Sequence, residues 1–169
     1  MSVEEHKARS AELKSVRCAV VTVSDTRTLE TDESGVEIAR LLEEHGHRVI
    51  ERSVVPDEPG KISLVLRHWL GCADVDAAIL NGGTGIAKRD GTVEAVRQFL
   101  DTELPGFGEL FRYLSYQQVG ASAMLSRSFA GIASGKLVFA LPGSRKAVKL
   151  AMERLILPEL RHLVYELRK

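Results

Sequence analysis

The chain has 169 residues with 23 Lys and Arg against 23 Asp and Glu, so no net field favours nucleic acid or an anionic membrane. Hydrophobic residues make up 44% and aromatics only 5%, which fits one domain around an aliphatic core. No apolar run reaches the ~20 residues that cross a bilayer, and the start Met1-Ser2-Val3-Glu4-Glu5-His6 is too charged for a signal peptide, so a cytoplasmic protein is expected.

Residues 1–15 are polar without an apolar period and read as a flexible N-terminal arm, with the folded domain at 16–169. Cys18-Ala19-Val20-Val21-Thr22-Val23 is a continuous β-branched run of the kind buried on both faces of a parallel sheet, which makes it the first central strand. Cys18 is thus a core thiol and Cys72 falls near a helix end; neither has zinc or redox spacing. Ile38, Leu41 and Leu42 recur at helical spacing in 34–44, Gly46 can end that helix, and Arg48 to Val55 reads as the second strand. His45 and His47 flank the glycine and are read as solvated. Ile62, Val65, Leu66 and Trp69 form the next helical stripe, and Ala77-Ala78-Ile79-Leu80 the third strand. Periodicity predicts helices at 93–100 and about 107–127, apolar runs on either side of Gly135, a helix carrying Val148, Ala151, Met152 and Leu155, and a separate terminal helix starting at Pro158.

Behind the third strand comes Asn81-Gly82-Gly83-Thr84-Gly85, then Ile86-Ala87-Lys88-Arg89-Asp90-Gly91-Thr92. Glycines let the backbone take positive φ and turn its N–H groups on a close anion, and Thr92 is the expected N-cap of the helix that follows. The loop lacks the Gly-Lys-Ser/Thr ending of a P-loop and the spacing of a dinucleotide fingerprint. Asp90 beside a phosphate cradle would repel the ligand unless a divalent cation such as Mg2+ bridged the two. Alone, the same residues also fit a tight connection with a solvated acid.

Strands alternating with helices predict a single-domain α/β fold with a doubly wound, mostly parallel sheet and helices on both faces. Such sheets bind ligands at the carboxyl ends of their strands. Polar clusters fall at those ends: Ser24-Asp25, Pro56-Asp57-Glu58, Asn81 to Asp90, and Pro142-Gly143-Ser144 after the strand Lys136 to Leu141. Singly each also reads as loop chemistry, Pro56 to Gly60 as a turn and Ser144 as a helix N-cap.

Together, Thr22-Val23-Ser24-Asp25, Val55-Pro56-Asp57-Glu58, Gly82-Gly83-Thr84-Gly85 with Arg89-Asp90, Pro105 to Arg112, Leu125-Ser126-Arg127 and Ala140 to Ser144 resemble the MoaB/MogA family of molybdenum cofactor biosynthesis proteins. The resemblance runs from about residue 16 to the C-terminus, closer to the MoaB branch; Asn81 stands where the family usually has threonine, and Gly91 and Val93 also depart from its pattern. It implies adenylylation of molybdopterin by Mg-ATP with release of pyrophosphate. Asp57 and Asp90 match the family's essential aspartates and are implied as catalytic groups and Mg2+ ligands, Gly82, Gly83, Thr84 and Gly85 as the phosphate or nucleotide cradle, and Ser24, Asp25, Ser126, Gly143 and Ser144 as groups lining the pterin or nucleotide cleft. Arg112, Arg127 and Glu109 are candidate phosphate-site residues that also fit as surface charges. Trimers or hexamers and hand-over of the product to a molybdenum-insertion protein are further implications. A molybdopterin carrier or scaffold, and a nucleotide pyrophosphatase of the same fold, remain the alternatives. A Rossmann oxidoreductase does not fit, because no Gly-x-Gly-x-x-Gly opens the first helix.

Overall fold

The computed structural model describes Glu4, Glu5, Ala8 and residues 13–169, so most of the arm expected at 1–15 lies outside the described residues. In chain order the elements are β1 (Arg17–Val23), α1 (Glu33–Glu44), β2 (Arg48–Val55), α2 (Pro59–Gly71), β3 (Ala77–Asn81), α3 (Thr92–Arg97), β4 (Thr102–Glu103), α4 (Pro105–Val119), a 3-10 turn (Gly120–Leu125), β5 (Phe129–Ala133), β6 (Lys136–Leu141), α5 (Arg145–Ala151), a π turn (Met152–Ile156) and α6 (Leu157–Leu167). They build one sheet in the order β2-β1-β3-β6-β5-β4. β2, β1, β3 and β6 are parallel, whereas β5 runs antiparallel to both β6 and β4. This is the expected doubly wound, mostly parallel α/β architecture.

Alternation along β1 divides the core into two layers. Cys18 and Val20 join Ile38, Leu41 and Leu42 of α1, Phe111 of α4 and Val148 and Leu160 of the C-terminal helices. Ala19, Val21 and Val23 point the other way, onto Ile62, Leu66 and Trp69 of α2 and Val93 and Val96 of α3. Because β1, β3 and β6 are covered on both faces, they read in sequence as unbroken apolar runs. Burial also pushes the Cys18 thiol pKa up, so it stays a protonated core group.

Local punctuation sets the element ends. Asp32 caps α1 by accepting from the Gly35 amide at 2.9 Å, and Gly46 at φ +79° follows its C-cap, in the left-handed region that glycine enters without a Cβ clash. Ser134 and Gly135, at φ +50° and +71°, make the two-residue turn of the β5–β6 hairpin.

Four expectations change. Gly120 at φ +68° ends α4, so the helix expected through 127 gives way to the 3-10 turn. The stretch expected as helix at 93–100 is α3 over 92–97, continued by the single-turn bonds Phe99 N to Val96 O and Leu100 N to Arg97 O. Pro158 does not open a separate helix: Ala151, Met152, Ile156 and Leu157 all keep right-handed helical angles, and α5 runs through the π turn into α6. The widened turn ends two residues before Pro158, which lacks an N–H and whose ring crowds the carbonyl four residues back. His47 is buried rather than solvated, because its Nδ1 accepts from the Val16 amide at 3.2 Å where the chain enters the sheet.

Candidate functional site

At the carboxyl ends of the parallel strands, the glycine turn sits where only glycine fits. Gly82 has φ +97°, and a Cβ there would lie 2.2 Å from the Val23 carbonyl oxygen at the end of β1. Gly83 has φ +66°, and its Cβ would lie 2.3 Å from Thr92 Oγ1 and 2.8 Å from Asp57 Oδ2. The β6 turn closes from the other side, with Gly143 packed on Gly82. The turn is anchored by Gly82 N to Leu141 O at 2.9 Å, Thr92 N to Gly83 O at 3.1 Å and Thr92 Oγ1 to Gly82 O at 2.8 Å. Thr92 is therefore not the N-cap: Gly91 holds that position, and the Thr92 hydroxyl donates back to the turn.

Beneath the turn lies a buried polar tie. Asn81 Nδ2 donates to Thr22 Oγ1 at 2.9 Å, Thr22 Oγ1 donates to Asp32 Oδ2 at 2.8 Å, and Arg52 Nη1 reaches the same carboxylate at 2.9 Å. It links the ends of β3 and β1 to the start of α1 and to β2.

The carboxylates converge on this turn from separate loops. Asp57 Oδ1 accepts from the Gly91 amide at 3.1 Å, which leaves Oδ2 facing Gly83. Burial pushes the Asp57 pKa up, and the neighbouring Asp90 and Asp25 carboxylates add to the rise against the Gly91 hydrogen bond. Asp90 Oδ2 accepts from the Ala87 amide at 2.8 Å and lies against Gly85. Asp25 Oδ1 accepts from the Asp57 amide at 3.0 Å, and Arg89 closes on it with Nε to Oδ2 at 2.5 Å and Nη2 to Oδ1 at 3.0 Å. The Arg89 contact and the Asp57 N–H hold the Asp25 carboxyl below its ordinary range.

Other expected groups turn out to be local fasteners. Ser24 Oγ accepts from the amides of Thr26 and Arg27, and Ser144 Oγ accepts from Ala147 N at 3.2 Å as the N-cap of α5. Thr84 is buried, and its carbonyl accepts from Arg127 N at 3.0 Å. Ser126 lies off the turn, in a cavity of about 320 Å³ that it shares with Glu109, Arg112 and Arg127. Asp90 instead lines a cavity of about 490 Å³ with Pro59, Lys88 and Gly91, and Arg127 walls both. Asp25, Asp57, Gly82 to Gly85, Asp90 and Gly143 thus form one neighbourhood, with Ser24 and Ser144 at its margins.

Sequence reasoning gave no role to Arg89, Asp32 or Asn81. For Arg89 a signal existed, since it sits inside the motif next to Asp90. The pairing across 64 residues did not show.

The donor set bears on metal binding. Among the described residues, no three His, Cys, Asp or Glu side chains cluster as a ready-made cage. Asp57 Oδ2 and Asp90 Oδ1 are hard oxygens with no protein hydrogen bond among the described residues, and Mg2+ is commonly held by one or two carboxylates, with phosphates and water completing its shell. The residues present fit such a shared site.

A glycine turn flanked by carboxylates, at the strand ends of a doubly wound sheet, defines the class: an α/β domain whose polar cluster lies where such sheets take their ligands. The comparisons give the family. The profile described as "Probable molybdopterin binding domain" matches residues 19–162. Molybdenum cofactor biosynthesis protein B of Halalkalibacterium halodurans is 54% identical over 174 residues, covering 100% of this chain and 99% of that protein. A crystal structure of a molybdenum cofactor biosynthesis protein B superposes with TM-score 0.89 at 52% identity, over 92% of this chain and 97% of that one. The tungsten cofactor synthesizing protein MoaB of Pyrococcus furiosus gives 0.83 at 35%, over 92% and 99%. This chain belongs to the MoaB/MogA family of molybdenum cofactor biosynthesis proteins.

Proposed function

We propose that this protein catalyses Mg2+-dependent adenylyl transfer from ATP to molybdopterin, ahead of metal insertion. An oxygen of the pterin's terminal phosphate attacks the α-phosphorus of ATP. A P–O bond forms there while the bond to the α–β bridging oxygen breaks, and pyrophosphate leaves. Both reactants are polyanions, so the barrier depends on neutralising and aligning phosphates more than on a strong base.

The observation that carries this reading is the pair Asp57 and Asp90: each has one oxygen held by a backbone amide and the other free beside the glycine turn. In this reading Asp57 Oδ2 and Asp90 Oδ1 hold Mg2+, which when bound neutralises phosphate charge. Gly82 to Gly85 receive the phosphates, Asp25 fixes Asp57 through its amide, and Ser24, Ser126, Gly143 and Ser144 border the cleft. Exposed Leu110, Tyr113, Tyr116 and Val119 on α4 support assembly into a homotrimer or hexamer. The product then passes to a molybdenum-insertion protein in the same cytoplasm.

The test is a single assay of purified protein with molybdopterin and Mg-ATP, following pyrophosphate and adenylylated pterin against a control without pterin. Pterin-dependent formation of both products is expected. Tight pterin binding without product would replace the reading with a carrier, and nucleotide cleavage without pterin with a pyrophosphatase.

A further inference from the structure

Arg127 fits poorly as a substrate ligand, because each of its guanidinium nitrogens already has a protein acceptor. Nε donates to Gly85 O at 2.8 Å, Nη2 donates to Asp90 O at 3.1 Å, and Nη1 pairs with Glu94 in the first turn of α3. Its own amide donates to Thr84 O at 3.0 Å. One residue therefore grips both ends of the loop 84–90 and ties it to the helix that follows.

Between those ends the loop is thinly held. Ile86, Ala87, Lys88 and Arg89 are exposed, and the internal ties are Ala87 N to Asp90 Oδ2 and Asp90 N to Ala87 O, with Arg89 reaching out to Asp25. The clamp is itself braced. Arg112 of α4 donates to Ser126 O at 3.4 Å and Ser128 O at 2.9 Å, on either side of Arg127, and Ser126 Oγ donates to Ser128 Oγ at 3.1 Å. A planar fork is required here, because a lysine ammonium cannot reach three acceptors in those directions.

We propose that Arg127 is a positioning residue that holds the Gly85 to Asp90 turn, and with it the Asp90 carboxylate, in the geometry that meets the phosphates. The proposal rests on the assignment of Asp90 to the reaction, but the clamp can be read without turnover.

The experiment compares Arg127→Lys and Glu94→Gln with wild type in two readouts. The first is hydrogen exchange at the Ala87 amide, which Asp90 Oδ2 holds. The second is adenylyl transfer, with kcat separated from KM. Arg127→Lys is expected to speed Ala87 exchange at least tenfold and to lower kcat tenfold or more, with KM for both substrates within about threefold. Glu94→Gln, which keeps the carbonyl bonds, should show the same pattern more weakly. Unchanged exchange in both variants overturns the clamp. A large rise in KM with unchanged exchange also overturns it, and makes Arg127 a substrate ligand. If wild type makes no adenylylated pterin, the functional reading fails while the exchange result still decides the clamp.

Discussion

Acids meet cations at both ends of this sheet, with opposite outcomes. At the amino end, Asp76 just before β3 takes the Arg17 amide at 2.9 Å, Arg17 Nε at 3.1 Å, Arg17 Nη2 at 3.0 Å and Arg168 Nη2 at 2.8 Å. Burial alone would raise its pKa, but the Arg17 hydrogen bonds and then Arg168 outweigh it and draw the value down to about 2. At the carboxyl end, Asp57 has a single hydrogen bond, from the Gly91 amide, and two carboxylate neighbours, and its pKa rises. The first arrangement satisfies a charge and fastens the C-terminal helix to β1. The second leaves charge unsatisfied beside the glycine turn, which costs stability in the folded protein and marks the place as a candidate functional site.

Exchanging the two kinds of acid for amides separates these roles most sharply. Asp90→Asn is expected to lower turnover by roughly 10²–10³-fold, the scale of losing one transition-state contact, while molybdopterin still binds and Tm does not fall. Asp57→Asn should behave alike, and should weaken the dependence on Mg2+. Asp76→Asn should do the reverse: turnover holds, while stability drops by roughly 2 kcal/mol and Tm by roughly 4–8 °C. Kinetics and thermal melts on all three decide it. A variant that lost both properties together would erase the distinction between the ends.

A finer test concerns Arg89. Arg89→Ala bares the Asp25 carboxylate beside the proposed phosphate site, and is expected to weaken binding of Mg-ATP by roughly tenfold. If Arg89 acts by masking Asp25, then adding Asp25→Asn restores most of the loss. If the double variant binds no better than Arg89→Ala alone, Arg89 contacts the nucleotide itself. Titration calorimetry of wild type, Arg89→Ala, Asp25→Asn and the double variant measures the coupling.

How much of this was legible beforehand depends on the range of the forces involved. β6 has the predicted bounds and β1 differs by one residue, because strands buried on both faces carry their burial in their own composition, while the half-exposed edge strand β2 has its predicted bounds because Gly46 and Pro56 fence it. The grouping of Asp25, Asp57, the glycine turn and Asp90 also followed, since topology alone brings strand ends together. The failures share a cause. Thr92 looks like an N-cap in isolation, and only the Gly82 carbonyl behind it turns its hydroxyl into a donor. Arg127, left open between a phosphate partner and a surface charge, pairs with Glu94, and its further acceptors in the loop 42 residues upstream had no local signal. Pro158 looks like a helix start because a π turn has no local signature.

His47 belongs to the same group and gives the smallest expected effect. Burial, and then the nearby Arg161 and His45, lower its pKa from 6.5 to about 4. Its Nδ1 must stay unprotonated to accept from Val16. The unfolded chain therefore takes up the proton first. Stability is full above pH 6.5, falls as pH drops toward about 4, and levels off below that. By pH 5.5 the loss is about 1 kcal/mol. Urea unfolding at pH 7.5 and 5.5 should show it in wild type but not in His47→Asn, whose side-chain carbonyl can accept from Val16 without titrating. The amino end of the sheet would then have a mild-acid weakness of its own, separate from the loss near pH 2–4 that Asp76 produces, and distinct from the carboxyl end, where the Asp57 pKa is raised instead. Equal losses in both proteins would remove His47 from the account and leave the amino end with only the acid limb of Asp76.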